Sequence, residues 1–487
     1  KVKLTQPQKA AVSEIQSSNF GDLNHPGETF LLEGVTGSGK TEVYLKAVEA
    51  CISTGKRAIV LVPEIALTPQ TIERFSSRFP GQVAVLHSGL STGQRFDQWW
   101  KIQQGDYDLV VGSRSSIFAP IPLLGLIVID EEHEWTYKQT EHQPRYHARD
   151  VAIKLSELTG ATLLMGTASP DVATYYKALR GEIRLLRLPH RVTPERSSRP
   201  GLLAPVTVVD MRTEFRDGNS KMFSRQLENA LHETIQNGSQ AILFLNRRGT
   251  AAYTQCRSCG YTQTCKRCDT TMTYHRNLTK LVCHYCGDRR NPPTQCPVCL
   301  RYKMTLHGTG TEAVQHEVQR MFPDVLVYRW DRDTVRKPSE YQQLLDGFRQ
   351  GDASILVGTQ MIAKGLHIPS VTLVGVISAD VGLGVPDYRA SERVFQLLFQ
   401  VAGRAGRGST PGRAIIQTFQ ADNYAVSAAS DQDYFNFYQD NMLEHTDFYP
   451  GIKETLDKLD KLSIPWGIVT NKPQHLAEPL LEHFKIT

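Results

Sequence analysis

Residues 34–41, GVTGSGKT, constrain this chain more than any other stretch. They fit the spacing Gly-x4-Gly-Lys-Thr. They lie between a strand-like run, ETFLLEGV (28–35), and a helix-like run, TEVYLKAVEACISTG (41–55). The glycines let backbone N–H groups face a phosphate, the lysine adds positive charge, and the threonine hydroxyl suits a divalent cation. Such a loop works only where a strand feeds a helix, so the motif predicts a βα unit of a parallel sheet. A glycine-rich turn with an accidental lysine is the bland alternative, and the flanking pattern weighs against it.

The rest of the chain repeats that rhythm. AIVLVPE, VAVLHS, DLVVGS, LIVIDEE and ATLLMGTAS read as five more buried strands, several of them separated by helical patterns. The rhythm stops near Leu188, and PHRVTPERSSRPGLLAP reads as a linker. It restarts with SRQLENALHETIQNG and QAILFLN, and a cysteine-rich stretch then interrupts it. It resumes through TEAVQHEVQRMF, VLVYRW, YQQLLDGFRQG, SILVGTQ and VTLVGVIS. It closes with a long helix, SERVFQLLFQVAGRAG, and a strand, RAIIQTF. The expectation is an α/β fold of two lobes: 1–188 and 206–440, joined by a linker at 189–205. An insertion occupies 256–300 within the second lobe, and a separate tail runs over 441–487.

Three candidate clusters follow. In the phosphate loop, Gly34, Thr36, Gly37, Ser38, Gly39, Lys40 and Thr41 would surround the phosphates. LIVIDEEH (126–133) ends an apolar strand in acids. Asp130 would hold Mg²⁺ through water and Glu131 would orient and deprotonate an attacking water, with Glu132 and His133 coupling the site to its neighbours. QVAGRAGR (400–407) puts Arg404 and Arg407 three apart on a helix, where they share one face. From an opposing lobe they would stabilise charge developing on a γ-phosphate. Ordinary surface arginines and a solvated strand end are the alternatives.

Eight of the nine cysteines fall in four CxxC pairs: Cys256/Cys259, Cys265/Cys268, Cys283/Cys286 and Cys296/Cys299. Eight thiolates make two closed tetrahedral sites and suit two Zn²⁺, with iron–sulfur clusters as the runner-up. Spacing alone leaves the pairing of the pairs open. His275, His284 and His307 read as bystanders, and Cys51 as a core thiol. Arg257, Lys266, Arg267, Arg289 and Arg290 are among the cations around the sulfurs, a rim for DNA or simply a solvated surface. Net charge is +5, which permits a nucleic-acid partner without requiring one. No apolar run reaches membrane-spanning length and the first residues lack a signal-peptide core. The expectation is a cytoplasmic protein with no membrane partner.

With LVPEIALTPQ, GTASP, FLNRRG and GTQMIAKGLHIP in order between these clusters, the chain resembles a superfamily 2 helicase. The cysteine insertion, GSRSSIFAP, YKQTEHQPRYHARD, HGTGTE and RWDRDT make it similar to the primosomal replication-restart helicases over roughly 1–430. The resemblance implies two RecA-like lobes and ATP-driven 3′→5′ movement on single-stranded DNA. It implies action at stalled or repaired forks, and loading of the replicative helicase with single-stranded DNA-binding protein and primosome proteins as partners. It implies that Gln8 contacts adenine, that Gly365 lies in a motif facing ATP and DNA, and that Gln400 belongs to the ATP site. It favours nested zinc pairing, outer with outer and inner with inner. It also makes EWTYKQTEHQPRYHARD an aromatic-rich loop, in which Trp135, Tyr137, Arg145, Tyr146, His147 and Arg149 would stack bases and meet phosphates. Packing of those rings against the first lobe is the rival.

The family carries a DNA-binding region ahead of the motor, whereas this chain begins almost at Gln8, so weaker recognition of fork ends is expected. The tail resembles part of a haloacid-dehalogenase-type phosphatase, PWGIVTNK matching its second motif with Thr470 at the phosphate position. It lacks that family's DxD nucleophile, so no phosphatase activity and only marginal order are expected. A zinc-ribbon binding module with an inactive motor, or an RNA helicase on the same motor, are the other functional readings.

Overall fold

The computed structural model describes residues 3–486 apart from 65–68, 193–202, 247–252, 269, 276–277, 301–303, 308–309, 332–337, 364–367, 384–386, 388, 409, 432–442, 444–445, 449–450 and 469–473. Gly365, Thr470 and most of the expected linker therefore lie outside the described residues.

Seven strands form the first sheet: β1 (Thr29–Gly34), β2 (Arg57–Leu61), β3 (Val83–Leu86), β4 (Leu109–Gly112), β5 (Leu124–Asp130), β6 (Thr162–Thr167) and β7 (Arg184–Leu188). Their order is β3-β4-β2-β5-β6-β1-β7, with every pairing parallel. Alternate side chains feed two separate apolar layers. Phe30, Leu32, Ala58, Val60, Leu126 and Val128 pack on one face. Leu31, Ile59, Leu61, Ile127 and Ile129 pack on the other. Burial on both faces explains why these strands read as continuous apolar runs. The register sets Asp130 opposite Gly166 and Glu33 opposite Thr167, so the ends of β1, β5 and β6 share one edge.

The second lobe begins with β8 (Val206–Asp210) and β9 (Gln240–Phe244). The insertion follows. Its stem pairs β10 (Tyr253–Gln255) antiparallel with β14 (Thr305–His307), and its tip is a small antiparallel sheet of β11 (Thr273–His275), β12 (Lys280–Val282) and β13 (Arg289–Arg290). The parallel sheet resumes with β15 (Val327–Trp330), β16 (Ile355–Gly358), β17 (Val371–Val376) and β18 (Arg413–Thr418), in the order β15-β16-β9-β17-β18-β8. An antiparallel stem returns the chain to its point of departure, so β9 still pairs in parallel with β16 and, with one register shift between Val371 and Leu373, with β17.

One expectation needs correction. The helix that should carry Arg404 and Arg407 spans Ala390–Ala402 and is capped at Gly403. Both arginines lie in the turns beyond it. The Gly406 N–H bonds to Val371 O at 3.0 Å, and Gly406 has a φ of +66°. By then the ladder has already tightened, the Arg404 and Ala405 N–H groups reaching Val401 O and Ala402 O, and the left-handed Gly406 turns the chain away. Val394, Phe395, Leu398 and Phe399 hold the helix in the core of the second lobe. The following helix, Tyr424–Asp431, packs Ala425, Val426, Ala428 and Ala429 into the same core.

The last described segment is different. Helix Ile452–Lys461 buries none of its residues. Leu462, Ile464 and Ile468 are exposed. Phe448 meets Phe484, of helix Gln474–Phe484, at 4.5 Å between ring centroids. So few buried apolar groups leave little free energy to oppose the entropy of ordering. Brief trypsin digestion is expected to cut at Lys453, Lys458 or Lys461 before any site in the two sheets, read as fragment masses. A tail that outlasts the sheets would show that it is packed.

Candidate active site and metal centres

The phosphate loop is shaped by glycine and held by its neighbours. Gly37 and Gly39 take φ of +89° and +81°. A Cβ on Gly39 would lie 2.3 Å from Gln8 Nε2. Gln8 reaches the loop because a reciprocal cap with Thr5 starts helix Gln6–Gln16 there. The Gln8 amide donates to Ser38 O at 2.8 Å and accepts from the Thr5 N–H at 2.8 Å. The expected adenine-facing residue therefore also braces the loop itself. Lys40 is 9% exposed and its ammonium donates to Gly34 O at 2.8 Å. Thr41 stands in the first turn of helix Lys40–Ser53, behind a Gly39 cap that offers no side-chain acceptor. Ser38 Oγ is buried without a hydrogen-bond partner among the described residues.

The acids stand beside it. Asp130 accepts from Tyr44 Oη at 2.9 Å. Burial, reinforced by Glu131, raises its carboxyl to about 7, although Lys40 pulls the other way. Glu131 sits at φ +49°, a left-handed conformation that non-glycine residues seldom take, and its buried Oε2 has no hydrogen-bond partner among the described residues, His133 Nδ1 standing 3.7 Å away. His133 Nε2 lies 2.9 Å from Gln400 Nε2, which only donates, so the ring proton is on Nδ1 and goes to Thr167 Oγ1 at 2.6 Å. That neutral imidazole ties the first lobe to the second.

Arg404 and Arg407 close on this region from the second lobe. A Cβ on Gly403 would touch Thr36 Oγ1 at 3.0 Å, so the turn after the helix lies directly against the phosphate loop. Arg407 Nε donates to Gly403 O at 3.1 Å. Burial, then Arg404 and Arg191, drive its proton affinity well below the usual range for arginine, and Glu131 opposes them. Arg404, Arg407, Arg191 and Glu131 therefore share one electrostatic neighbourhood.

Sequence reasoning missed several residues here. Arg191 spans the lobes, donating to the carbonyls of Gly403, Ala405 and Gly406 at 3.1–3.3 Å. Asp171 caps helix Val172–Leu179 and pairs with Arg389 of the second lobe at 3.1 Å. Glu392 accepts from the Val172 N–H at 3.1 Å. Burial, then the nearby Asp171, push its carboxyl up to about 7. None of these positions carried a spacing signal.

The aromatic-rich loop is partly inward. Tyr137 is 1% exposed and donates to Asp130 O at 2.7 Å, so it props the acid rather than offering a face for a base. Arg149 bonds Glu132 at 2.9 Å and Thr174 Oγ1 at 2.7 Å, and Asp171 lies 3.2 Å away. Burial works against its charge, but Glu132 and Asp171 outweigh burial and raise its proton affinity. Arg149 is a strut under the site, not a phosphate contact. Arg114 fixes the loop's shape through Thr136 O, Lys138 O and Gln139 Oε1, each at 2.9 Å. Tyr146 packs edge-on to Phe118 at 4.9 Å. Trp135 (37% exposed) and Arg145 keep open surface.

The cysteines form two nested groups: Cys256, Cys259, Cys296 and Cys299, and Cys265, Cys268, Cys283 and Cys286. Within each, the four Sγ atoms lie within 4.8 Å of one another, and Cys256–Cys299, Cys259–Cys296 and Cys265–Cys286 stand 3.6–3.7 Å apart. Sulfurs about 2.3 Å from a tetrahedral zinc would be separated by nearly that distance, so both groups suit zinc. The antiparallel stem decides the nesting, because it brings the outer pairs together.

Residues 5–177 match the DEAD/DEAH box helicase family, and 278–409 match the helicase conserved C-terminal domain. Residues 265–290 match the Cys-rich region of PriA DNA helicase, and 409–487 match haloacid dehalogenase-like hydrolases. That last match starts before β18, which nonetheless pairs within the second sheet. The chain is 49% identical over 439 residues to the replication restart protein PriA of Bacillus subtilis, covering 90% of this chain and 53% of that protein. It is 45% identical over 415 residues to the one from Synechocystis, covering 84% and 49%. It thus spans about half the length of these relatives. The solved structure of Mss116p bound to single-stranded RNA and AMP-PNP superposes with a TM-score of 0.50 at 14% identity, over 99% of this chain and 80% of that one, a likeness of fold. The helicase lobes suit ATP. No helix among the described residues is long and apolar enough to cross a membrane.

Elemental analysis of the purified chain is expected to return two zinc ions per chain. Cys296→Ser should remove one and leave the other, and a chain that loses both together would show that the groups are not independent.

Proposed function

We propose, on the premise that the two-lobed part of this chain belongs to the family of PriA replication restart proteins, that it is an ATP-driven 3′→5′ helicase motor working on single-stranded and forked DNA in the cytoplasm. It would act where forks stall or are repaired, with single-stranded DNA-binding protein and primosome proteins as partners, to help load the replicative helicase. The observation that carries the reading is the meeting of Arg404 and Arg407 with the phosphate loop and Asp130–Glu131 in one cleft built from both lobes.

In this reading the loop N–H groups and Lys40 hold the β- and γ-phosphates, exchanging the Lys40–Gly34 bond for a phosphate. Bound Mg²⁺, held by Thr41 and Asp130, would neutralise charge on the leaving phosphates. Glu131, with an oxygen left unsatisfied, takes the proton of the attacking water. Arg404 and Arg407 stabilise the γ-phosphate from the far side, so hydrolysis and release weaken the bond between lobes. The His133–Gln400 contact would open and close with that cycle. Trp135, Arg145 and Tyr146 remain the candidates for DNA on the aromatic loop.

Lys40→Ala is expected to abolish ATP hydrolysis stimulated by single-stranded DNA, and an unchanged rate would sink the proposal. RNA, duplex and forked DNA as cofactors in the same assay separate a DNA motor from an RNA one. The pH profile gives a second check. Asp130, raised to about 7, is neutral below that pH and anionic above it. Since a cation needs the anion, the rate should fall as pH drops through about 7, and added Mg²⁺ should move the midpoint lower. A midpoint indifferent to Mg²⁺ would remove Asp130 from that role.

A further inference from the structure

Arg191 belongs to no motif of the cleft, yet it lies at the seam. The chain leaves β7 alongside the phosphate loop: the Val35 N–H bonds to Leu188 O at 3.2 Å and the Val192 N–H to Gly37 O at 2.9 Å. Between those two bonds, Arg191 turns its side chain toward the second lobe. Its methylenes lie beside Gly37, where a Cβ would make ordinary van der Waals contact with Arg191 Cγ at 3.7 Å. Its guanidinium takes Ala405 O and Gly406 O on Nη1, at 3.1 and 3.3 Å, and Gly403 O on Nη2, at 3.2 Å. Gly403 O is the same carbonyl that Arg407 Nε engages.

The group is 9% exposed, its Nε has no hydrogen-bond partner among the described residues, and no carboxylate pairs with it there. A buried cation held by carbonyls alone costs free energy unless those dipoles are well aimed. Here they crowd the carboxyl end of helix Ala390–Ala402, which favours a cation. A rigid fork suits three converging carbonyls, whereas an ammonium would address them as a point.

We propose that Arg191 is a positioning residue. Anchored through Gly37 to the phosphate loop, it clasps the turn 403–406 and so sets where Arg404 and Arg407 stand over the nucleotide. It acts through those arginines and touches no reacting atom. The proposal deepens the ATPase reading of the same cleft and rests on it. Filling of the loop is thereby transmitted to the second lobe through backbone and one side chain, independently of the His133–Gln400 contact.

The test uses the full chain with Arg191→Ala and Arg191→Lys. Arg191→Ala should lower kcat of DNA-stimulated ATP hydrolysis by about 10- to 100-fold, the scale of a small misplacement of catalytic groups, with KM for ATP nearly unchanged. Arg191→Lys should keep the charge and fold but stay well below the wild-type kcat. Hydrogen exchange without nucleotide gives an independent arm: the amides of 403–406 should exchange faster in both variants, while those of β1 and β17 keep their protection. A wild-type kcat in either variant, or unchanged exchange at 403–406, overturns the proposal. If the wild type hydrolyses no ATP, the ATPase reading fails by itself, and the exchange arm still decides the clasp.

Discussion

Positive charge is buried where the two lobes meet, and most of the cleft follows from how that charge is tolerated. Lys40 and Arg191 are each 9% exposed, and burial, then Arg404 and Arg191, lower the proton affinity of Arg407. Enclosed cations at this density cost several kcal/mol each unless partners offset them. Backbone carbonyls do so for Lys40 and Arg191. Glu131 offsets Arg407 only in part. An arrangement of this kind gains most from an anion with several oxygens, so the electrostatics point to a polyphosphate independently of the loop motif.

The same lobes are also joined by a second, mixed-charge seam. Asp171 meets Arg389, and Glu392 meets the backbone of Val172, while Arg149 and Glu132 support Asp171 from behind. Here two arginines face three carboxylates, and burial with the nearby Asp171 raises the carboxyl of Glu392. The two seams thus differ in kind: one is built of cations held by backbone carbonyls, the other of carboxylates and arginines that bond one another and the chain.

Much of this was legible in the sequence because it is written in spacing. A strand, GVTGSGKT and a helix admit one geometry, and continuous apolar runs such as LIVIDEE announce a doubly covered parallel sheet. Pairwise features read less well. Arg404 and Arg407 were found, but on a helix that in fact ends at Ala402, before either of them. Tyr137 and Arg149 alternate with other rings and cations, and periodicity does not distinguish a surface that meets DNA from one that meets Asp130 and Glu132. Arg191 is one of three arginines in a Pro- and Arg-rich linker, and its proposed role exists only because β7 runs beside β1. CxxC spacing named the ligands but not their grouping, which the pairing of β10 with β14 decides.

That stem also explains how a cysteine-rich insertion can sit inside the second lobe while its parallel sheet stays whole. The outer cysteine group lies at the base, where Gly260 packs so tightly that a Cβ would meet Phe419 O at 2.5 Å. Phe419 follows β18, and its N–H is held by the buried carboxylate of Asp380, which also binds Thr418 Oγ1 and Gln420 Nε2. Arg257 reaches back to Ser220 O, and Arg212 joins Asp210 to Asp422 beside the same contact. The outer group is thus bonded into the second lobe. The inner group sits with β11–β13, backed by a small core of Met272 and Leu281. Its Cys286 is exposed, whereas Cys256 and Cys296 of the outer group are fully buried. Two identical ligand sets therefore have different settings: the outer one is bonded into the second lobe, and the inner one is built on the small sheet β11–β13.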